Sequence, residues 1–598
     1  MEAEKHIVIL DFGGQYAHLI ARRVRQCGVF SEIREPETLV SELKNAAGII
    51  LSGGPQSVYD KASPQGDPKL FELGIPVLGI CYGLHWMVQT LGGKVSSGKV
   101  KEYGHTSIRN LGVGGGAIGS LLEKCPSEFT VWMSHGDEAA ELPPGFKTIA
   151  TSEACANAAL ADPSRNFFAV QFHPEVTHSE HGMDILQSFV DLCDATPWSV
   201  KSYTQKLKEE VVQEVGDRKV FMLVSGGVDS TVAFALLNEV LGVDRVQGLL
   251  VDTGLMRKNE VKMIQSAFDT LGITNLRVED ASSLFFEKLK GIYEPEAKRK
   301  MIGDTFLEVQ KTVSTEMNLK LEDGWMLGQG TIYPDTIETG ATKHADQIKT
   351  HHNRVEAIQK MIDQGLVIEP LKDLYKDEVR ALGEELGLPH ELVWRHPFPG
   401  PGLGVRILCA KESSPLDKAQ YDIPVPHLPL PIKSVGVQGD SRSYRHPVAL
   451  FSTEKVPSAE HWKLATSIPN AIHEFNRVMF CVSHTEPMSL IFTPGYITKE
   501  RADLLRDADN IVDEEMRAAG LYESIWQFPV VLLPVGTKEG EQSIVLRPIE
   551  SQEAMTAKAI NLSKDVLEKM TKRLLAIPGI GIVFLDLTHK PPGTIEWE

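Results

Sequence analysis

Short apolar runs that end in glycine-rich turns recur along the first 400 or so residues of the chain. Residues 75–80 run into Cys81-Tyr82-Gly83, and residues 220–224 run into Ser225-Gly226-Gly227. A helical pattern follows each turn, and strands that alternate with helices fold into parallel sheets with helices on their faces. The chain of 598 residues is long enough for about four domains. We therefore expect a multidomain α/β protein.

Composition and motif order predict three domains, at residues 1–195, 196–410 and 411–598. Asp194-Ala195-Thr196-Pro197 ends the first, and a proline-rich stretch opens the third. Within the third domain, residues 430–482 and 533–598 share an order of elements. Each has a Leu-Pro strand, a basic or polar second strand, a helix with an Ile-Pro step and a final strand. We predict two related α/β units there.

Charge and cysteine content disfavour several kinds of partner. The net charge of -19 opposes binding to duplex nucleic acid, which needs a basic surface. The longest apolar run is interrupted by Pro578 and falls short of the ~18 residues of a membrane-spanning helix. The seven cysteines form no Cys-x-x-Cys pair, and the acidic N-terminus does not resemble a signal peptide. We expect a cytoplasmic protein that requires neither nucleic acid nor a membrane.

The first candidate site is a cysteine flanked by glycines. Gly79-Ile80-Cys81-Tyr82-Gly83 has the form Gly-x-nucleophile-x-Gly, in which small residues permit a strained turn between a strand and a helix. The N-terminus of the following helix favours a thiolate. A cysteine after an apolar strand is usually a core residue, but the two glycines favour a nucleophile here.

A base and an oxyanion hole can be assigned to the same domain. His173 is the candidate base, and Glu175 lies on the same face of an extended segment, where it can orient the ring. Backbone N–H groups of Gly53 and Tyr82 are candidates for the oxyanion hole. A zinc site at His173, His178 and His181 is the alternative, although no cysteine pair accompanies the histidines.

Together these motifs resemble the class I glutamine amidotransferase family over nearly all of the first domain. The resemblance implies that Cys81 attacks the carboxamide of glutamine, that ammonia leaves, and that water hydrolyses the resulting thioester. The family pattern usually continues Gly-x-Cys-x-Gly-x-Gln, whereas this chain has His85 at the last position. We expect His85→Gln to lower the KM for glutamine by an amount equivalent to roughly 1 kcal/mol.

The second candidate site is a glycine- and hydroxyl-rich turn between a strand and a helix. It consists of Ser225, Gly226, Gly227, Val228, Asp229, Ser230 and Thr231. Backbone N–H groups and hydroxyls at a helix N-terminus bind phosphate, and the lysine of a Walker loop is missing. The turn resembles the pyrophosphate loop of ATP pyrophosphatases, which have an adenine-nucleotide-hydrolase-like parallel-sheet domain. This resemblance implies adenylation of a carbonyl oxygen by ATP, Mg²⁺ bound through Asp229, and Asp252 near the nucleotide.

Longer segments resemble the GMP synthase family along the whole chain. They are residues 295–306, 329–335, 349–353, 395–403, 435–440 and 590–598. The resemblance implies that xanthosine monophosphate (XMP) is the acceptor, with ATP and glutamine as the other substrates. The XMP contacts that it implies are Arg299, Asp440, Gln527, Lys590 and Glu596. Arg547 is a further candidate for the phosphate group.

Two other functions stay open at this point. One is a glutamine-dependent ligase that adenylates a different carbonyl oxygen, as NAD synthetases do, and residues 590–598 disfavour it. The other is a regulatory protein with a weakened glutaminase, which the set of Cys81, His173 and Glu175 disfavours. Larger members of the GMP synthase family carry two C-terminal units in one chain in place of a partner subunit. We therefore predict a monomer, with a homodimer as the alternative.

Overall fold

The computed structural model describes residues 4–111, 121–317, 319, 323–338, 361–416, 420–438, 441–551 and 556–598. The chain forms two compact units. The first comprises Met1–Gln213, Thr331–Gly365 and Glu369–Leu382, and the second comprises Glu214–Gly330, Leu366–Ile368 and Gly383–Glu598. In the described ranges, every helix is too short or too polar to cross a membrane.

A nine-stranded mixed sheet forms the centre of the first unit. Its strands are β1 (His6–Leu10), β2 (Ser31–Arg34), β3 (Ala46–Leu51), β4 (Val77–Ile80), β5 (Lys94–Asn110), β6 (Glu128–Glu141), β7 (Lys147–Ser152), β8 (Ala159–Asp162) and β9 (Phe167–Val170). They lie in the order β2-β1-β3-β4-β9-β8-β7-β5-β6. The first five in this order are parallel, and the remaining pairings are antiparallel.

Helices cover both faces of this sheet because the parallel strands are apolar on both sides. The helices are α1 (Ala17–Gln26), α2 (Tyr82–Thr90) and α3 (Gly182–Asp191). Apolar residues of α1 and α3 pack into one buried cluster, and those of α2 pack into another. The turn between β4 and α2 is the one that carries Cys81.

A five-stranded parallel sheet occurs in the second unit. Its strands are β10 (Lys219–Leu223), β11 (Val246–Asp252), β12 (Leu276–Asp280), β13 (Trp325–Gly328) and β14 (Val367–Ile368), in the order β12-β11-β10-β13-β14. The helices between residues 200 and 393 are α4 (Val200–Val215), α5 (Val228–Leu241), α6 (Glu260–Thr270), α7 (Ser282–Lys288), α8 (Pro295–Glu316), α9 (Tyr333–Glu338), α10 (Lys376–Glu385) and α11 (His390–Val393). This agrees with the α/β fold expected for the pyrophosphatase segment.

Two stretches beyond residue 330 belong to the first unit. Arg25 on α1 is buried and donates hydrogen bonds to the Asp373 carbonyl oxygen at 2.6 Å and to Glu378 at 2.9 Å. Its guanidinium carbon lies 5.2 Å from the centre of the Tyr333 ring and 4.9 Å from that of Tyr375. This buried cation therefore holds residues 369–382 against α1.

The C-terminal part of the second unit forms a seven-stranded sheet. Its strands are β15 (His427–Pro429), β16 (Ser434–Gln438), β17 (Ser441–Leu450), β18 (Phe475–Cys481), β20 (Val530–Leu533), β22 (Gln542–Leu546) and β25 (Ile580–Asp586). The main order is β15-β17-β18-β25-β22-β20, with β16 paired to β17. Two small pairs, β19 (Ile491–Phe492) with β21 (Val535–Gly536) and β23 (Ile549–Glu550) with β24 (Lys558–Ala559), flank it. The helices are α12 (Ala459–Ala471), α13 (Lys499–Ala518) and α14 (Lys564–Leu575).

The two halves of this sheet follow the same plan outward from the centre. At the centre, β18 and β25 are antiparallel, with Phe480 opposite Leu585. On each side of this central pair, the next strand is parallel to the central strand beside it. The outermost strand is antiparallel to that next strand. The side-chain oxygen of Thr588 accepts from the Val478 N–H at 2.9 Å, and that of Ser483 accepts from the Val583 N–H at 3.0 Å. The two halves thus share one strand order and one pattern of parallel and antiparallel pairing.

Candidate active site

Cys81 occupies a strained turn between β4 and α2. Its φ of 51° and ψ of -106° are unusual for a residue with a side chain. A Cβ on Gly79 would lie 2.8 Å from the Gly83 backbone, and a Cβ on Gly83 would lie 2.3 Å from the Leu51 carbonyl oxygen. Both neighbouring glycines are therefore required for this turn, as the sequence pattern predicts.

His173 and Glu175 lie beside this cysteine and are buried. The ring nitrogen Nδ1 of His173 is 2.6 Å from Glu175 Oε1. Burial alone would lower the pKa of His173, but the Glu175 charge and the hydrogen bonds of the ring to Cys81 and Glu175 raise this pKa well above its usual value. The imidazole can therefore hold a proton taken from the thiol.

A cavity of about 540 Å³ opens next to Cys81. Gly53 and Tyr82, the predicted oxyanion-hole residues, both line it. A Cβ on Gly53 would come within 3.1 Å of His173 Cε1 and 3.8 Å of Cys81 Cβ, so the Gly53 backbone lies directly against the reactive pair. The cavity is of a size that holds small ligands.

A polar part of the cavity lining was not predicted from the sequence. It includes Asp137, whose carboxylate accepts hydrogen bonds from Ser57 at 2.5 Å and Tyr59 at 2.8 Å. It also includes His135, which lies 3.2 Å from buried Glu102. The available signal was the polar run from Ser134 to Asp137 in the middle of a strand-like segment.

His85 also lines the cavity. Its Nε2 is 2.8 Å from the side-chain oxygen of Gln171, and the Gln171 side-chain nitrogen is 3.9 Å from Cys81 Sγ. Gln171 was not predicted from the sequence, although it precedes His173 by two residues, a spacing that puts two side chains on one face of an extended segment. The lower KM expected for His85→Gln stays a prediction.

The three histidines of the zinc alternative have separate partners. His173 bonds to Glu175, the His178 ring lies 4.9 Å from the Trp132 ring, and His181 Nδ1 lies 2.9 Å from Asp184. Within the described ranges, the group of possible metal ligands that does converge is Glu102, His135 and Cys155. The geometry therefore favours the thiol–imidazole–carboxylate arrangement at His173.

The predicted phosphate loop lies between β10 and α5 in the second unit. Gly226 has a φ of 80°, and Gly227 is the N-cap of α5. The Gly227 N–H donates to Ser225 Oγ at 3.2 Å, and the Thr231 hydroxyl donates to the Gly227 carbonyl oxygen at 2.8 Å. These contacts fold the turn around a helix N-terminus, which is a favourable place for phosphate.

Two carboxylates lie near the ends of the adjacent strands. Asp229 is in the first turn of α5, and Asp252 is the last residue of β11. One Asp252 oxygen accepts from the Gly254 N–H at 2.8 Å. Asp252 also lines a cavity of about 280 Å³ together with Arg257, Lys262 and Lys499. Carboxylates beside cationic side chains suit a phosphate ligand that brings a divalent cation.

Three of the predicted XMP residues form hydrogen bonds with other groups of the protein. Arg299 on α8 lies 2.5 Å from Glu296 and also donates to the Glu598 carbonyl oxygen. Gln527 donates to the Pro397 carbonyl oxygen at 3.0 Å, and its own side-chain oxygen is buried without a partner. Glu596 accepts from Arg406 at 2.9 Å.

The remaining predicted XMP residues are Arg547, Asp440 and Lys590. Arg547 is fully buried, where it bonds to Asp586 at 2.7 Å and to the Thr588 and Thr594 carbonyl oxygens. Its donors are engaged by the protein, and its contact with the XMP phosphate stays a prediction. Asp440 and the segment 349–353 lie outside the described residues. Lys590 is half-buried, and burial and Arg547 lower its pKa.

Comparison with protein-family models defines the class of protein. Residues 8–193 match the model described as glutamine amidotransferase class-I, residues 200–299 match NAD synthase, and residues 514–597 match the GMP synthase C-terminal domain. The chain is thus a class I glutamine amidotransferase joined to an ATP-using domain of the NAD synthase type.

Full-length relatives identify the particular family. The chain is 48% identical to a probable glutamine-hydrolyzing GMP synthase of Leptospira interrogans, with 100% of both chains covered. It is 39% identical to the GMP synthase of Bifidobacterium longum, over 99% of this chain and 96% of that one. It is 38% identical to the GMP synthase of Thermobifida fusca, over 99% of this chain and 98% of that one. The chain belongs to the family of glutamine-hydrolysing GMP synthases, which are ligases.

Proposed function

We propose that this chain converts XMP, ATP, glutamine and water into GMP, AMP, pyrophosphate and glutamate. The observation that carries the proposal is the buried contact between His173 and Glu175, beside Cys81 and an open cavity. The phosphate loop between β10 and α5 supplies the second half of the reaction. A chain with both sites can release ammonia and activate an oxygen for displacement.

In the glutaminase half, His173 takes the Cys81 proton and the thiolate attacks the glutamine carboxamide. Backbone N–H groups of Gly53 and Tyr82 stabilise the oxyanion. His173, held by Glu175, then gives its proton to the departing ammonia, leaving a thioester on Cys81. Water hydrolyses this thioester to glutamate with His173 as the base.

In the synthetase half, the loop from Ser225 to Thr231 binds the ATP phosphates. Asp229 and Asp252 offer the hard carboxylate oxygens that Mg²⁺ prefers, and they would hold the ion that accompanies ATP. When bound, Mg²⁺ neutralises phosphate charge. The loop N–H groups and hydroxyls orient the nucleotide for attack by the C2 oxygen of XMP on the α-phosphate. Ammonia then displaces AMP from C2.

XMP would be bound by Arg299, Gln527, Lys590 and Glu596, with Asp440 as a further contact. The cations suit the phosphate group, and the unpartnered Gln527 oxygen suits a ring N–H or a ribose hydroxyl. The described cysteines are free thiols, which fits the cytoplasmic location that we propose. We also propose that the chain acts as a monomer.

A product-balance assay tests the proposal. Purified protein is incubated with XMP, ATP and Mg²⁺ and with either glutamine or ammonium, and all four products are quantified. We expect GMP, AMP, pyrophosphate and glutamate in equal amounts with glutamine, and the first three with ammonium. GMP formation with ammonium but not with glutamine would indicate a decayed glutaminase. Turnover only with another acceptor, such as nicotinic acid adenine dinucleotide, would contradict the XMP assignment.

A further inference from the structure

A row of buried side chains leads from His85 through Gln171 to Cys81. Gln171 is 0% exposed and His85 is 4% exposed. The Gln171 carboxamide points its oxygen at His85 Nε2, 2.8 Å away, and its nitrogen at Cys81 Sγ, 3.9 Å away. The two ends of one amide thus face two different groups of the glutaminase site.

The orientation of this amide is coupled to the tautomer of the imidazole. An amide oxygen can only accept a hydrogen bond, so His85 must donate from Nε2. Burial lowers the pKa of His85 to about 4, so the ring is neutral near pH 7 and carries one proton. With the Gln171 oxygen facing Nε2, that proton lies at Nε2. Reversal of the Gln171 amide would bring N–H groups together at His85 and aim the carbonyl oxygen at the sulfur. The Nε2-protonated tautomer of His85 therefore favours the orientation in which the NH₂ group faces Cys81.

We infer that Gln171 is a positioning residue that donates an N–H to the Cys81 thiolate, and that His85 holds it in that orientation. The inference rests on the proposed role of Cys81 as the nucleophile. Hydrogen bonds to an anion favour the ionised form and are stronger than those between neutral groups. The donor has an additional effect, because Sγ also contacts the Ser134 carbonyl oxygen at 3.6 Å, besides its hydrogen bond with the His173 ring. That oxygen can accept from a thiol but repels a thiolate.

The same geometry accounts for histidine at a position where the amidotransferase pattern has glutamine. A glutamine at position 85 could donate or accept and would leave both orientations of the Gln171 amide available. A neutral imidazole protonated at Nε2 can only donate there. In this tautomer, the histidine at position 85 is matched to the glutamine at position 171.

Two pairs of variants, one at position 171 and one at position 85, test this arrangement in the full-length chain. Gln171→Glu and Gln171→Met remove the donor, and Gln89→Met on the exposed side of α2 is the control. His85→Gln keeps a donor near the Nε2 position, whereas His85→Glu offers oxygens in its place. The measurements are kcat and KM with glutamine, ammonia-dependent GMP formation, and the pH dependence of Cys81 alkylation by iodoacetamide.

We expect Gln171→Glu, Gln171→Met and His85→Glu to lower the glutamine kcat about 10- to 100-fold. They should also move the midpoint of alkylation to higher pH, while ammonia-dependent turnover stays within about twofold of wild type. His85→Gln should keep kcat within about threefold of wild type, whatever its effect on KM.

An unchanged kcat and alkylation midpoint in Gln171→Met would overturn the inference. Equal losses in His85→Gln and His85→Glu would also overturn it, because they would show that shape matters and the donor does not. The proposed glutaminase is checked separately with Cys81→Ala. If Cys81→Ala is inactive with glutamine while the Gln171 variants are normal, the inference alone fails. If Cys81→Ala is active with glutamine, the nucleophile assignment fails as well.

Discussion

The glutaminase site and the proposed XMP site are assembled in different ways. In the first, Cys81 follows β4, and His173 and Glu175 follow β9, the neighbouring strand of the same sheet. In the second, Arg299, Gln527 and Glu596 come from segments far apart in the chain. Their side chains already bond to protein groups, for example Glu596 to Arg406 at 2.9 Å.

This difference reflects what each site does. A nucleophile and its base need fixed geometry before substrate arrives, and adjacent parallel strands supply it. A nucleotide site can be completed when the ligand binds. Side chains that pair with protein groups in the empty site can then release those partners and contact the ligand. If this comparison is correct, damage to the first site should affect one activity, and damage to the ATP site should affect both.

The largest effect is expected for Asp229→Asn. Loss of the carboxylate beside the phosphate loop should lower both glutamine- and ammonia-dependent GMP formation by at least about 100-fold, because adenylation precedes either nitrogen transfer. Asp244→Asn, at an exposed aspartate of the same unit, is the matched control. Near-normal ammonia-dependent turnover in Asp229→Asn would remove this residue from the proposed ATP site.

A buried carboxylate in the C-terminal sheet should matter for stability. Asp586 is fully buried and bonds to Arg477 at 3.0 Å and to Arg547 at 2.7 Å. We expect Asp586→Asn to lower the free energy of unfolding by about 3–5 kcal/mol, since two guanidinium groups would lose their shared anion. Chemical denaturation checks this, with exposed Asp565→Asn as the control. A change below about 1 kcal/mol would show that the cations find other partners.

The pH dependence of the glutaminase should depend on Glu175. This carboxylate raises the pKa of His173, so the protonated ring persists to higher pH than an ordinary histidine. In Glu175→Gln the alkaline limb of kcat/KM for glutamine should move down by roughly one to three pH units. Ammonia-dependent turnover should keep its wild-type profile. An unmoved limb would mean that another group controls it.

The strand-to-helix turns were predictable because glycine spacing is local information. Cys81 and the Ser225–Thr231 loop lie where the sequence predicts them. Arg547 directly follows β22, and in the sequence such a basic residue has the same appearance whether it meets phosphate or the buried Asp586 of β25. The contacts of Arg25 with Tyr333 and with residues 369–382 also lack a local signal, because they join residues more than 300 positions apart in the chain. Gln171 gave no signal beyond its spacing from His173.

The smallest effect is expected on dilution. The two halves of the C-terminal sheet pair with each other through β18 and β25. The edge strand of each half therefore has its hydrogen-bonding partner within the same chain. We expect light scattering at micromolar concentration to give a mass near 66.0 kDa and specific activity to stay constant on dilution. A stable mass of about twice this value, with activity lost on dilution, would show that a partner subunit is needed.

The central claim is that ammonia release and XMP amination are separate chemistries in separate units. Cys81→Ala tests it most directly, with GMP formation measured from glutamine and from ammonium in parallel. We expect turnover with glutamine to disappear and turnover with ammonium to stay within about twofold of wild type, because the thiolate serves only the first reaction. Loss of ammonium-dependent turnover in a folded variant, or retention of glutamine-dependent turnover, would contradict the account.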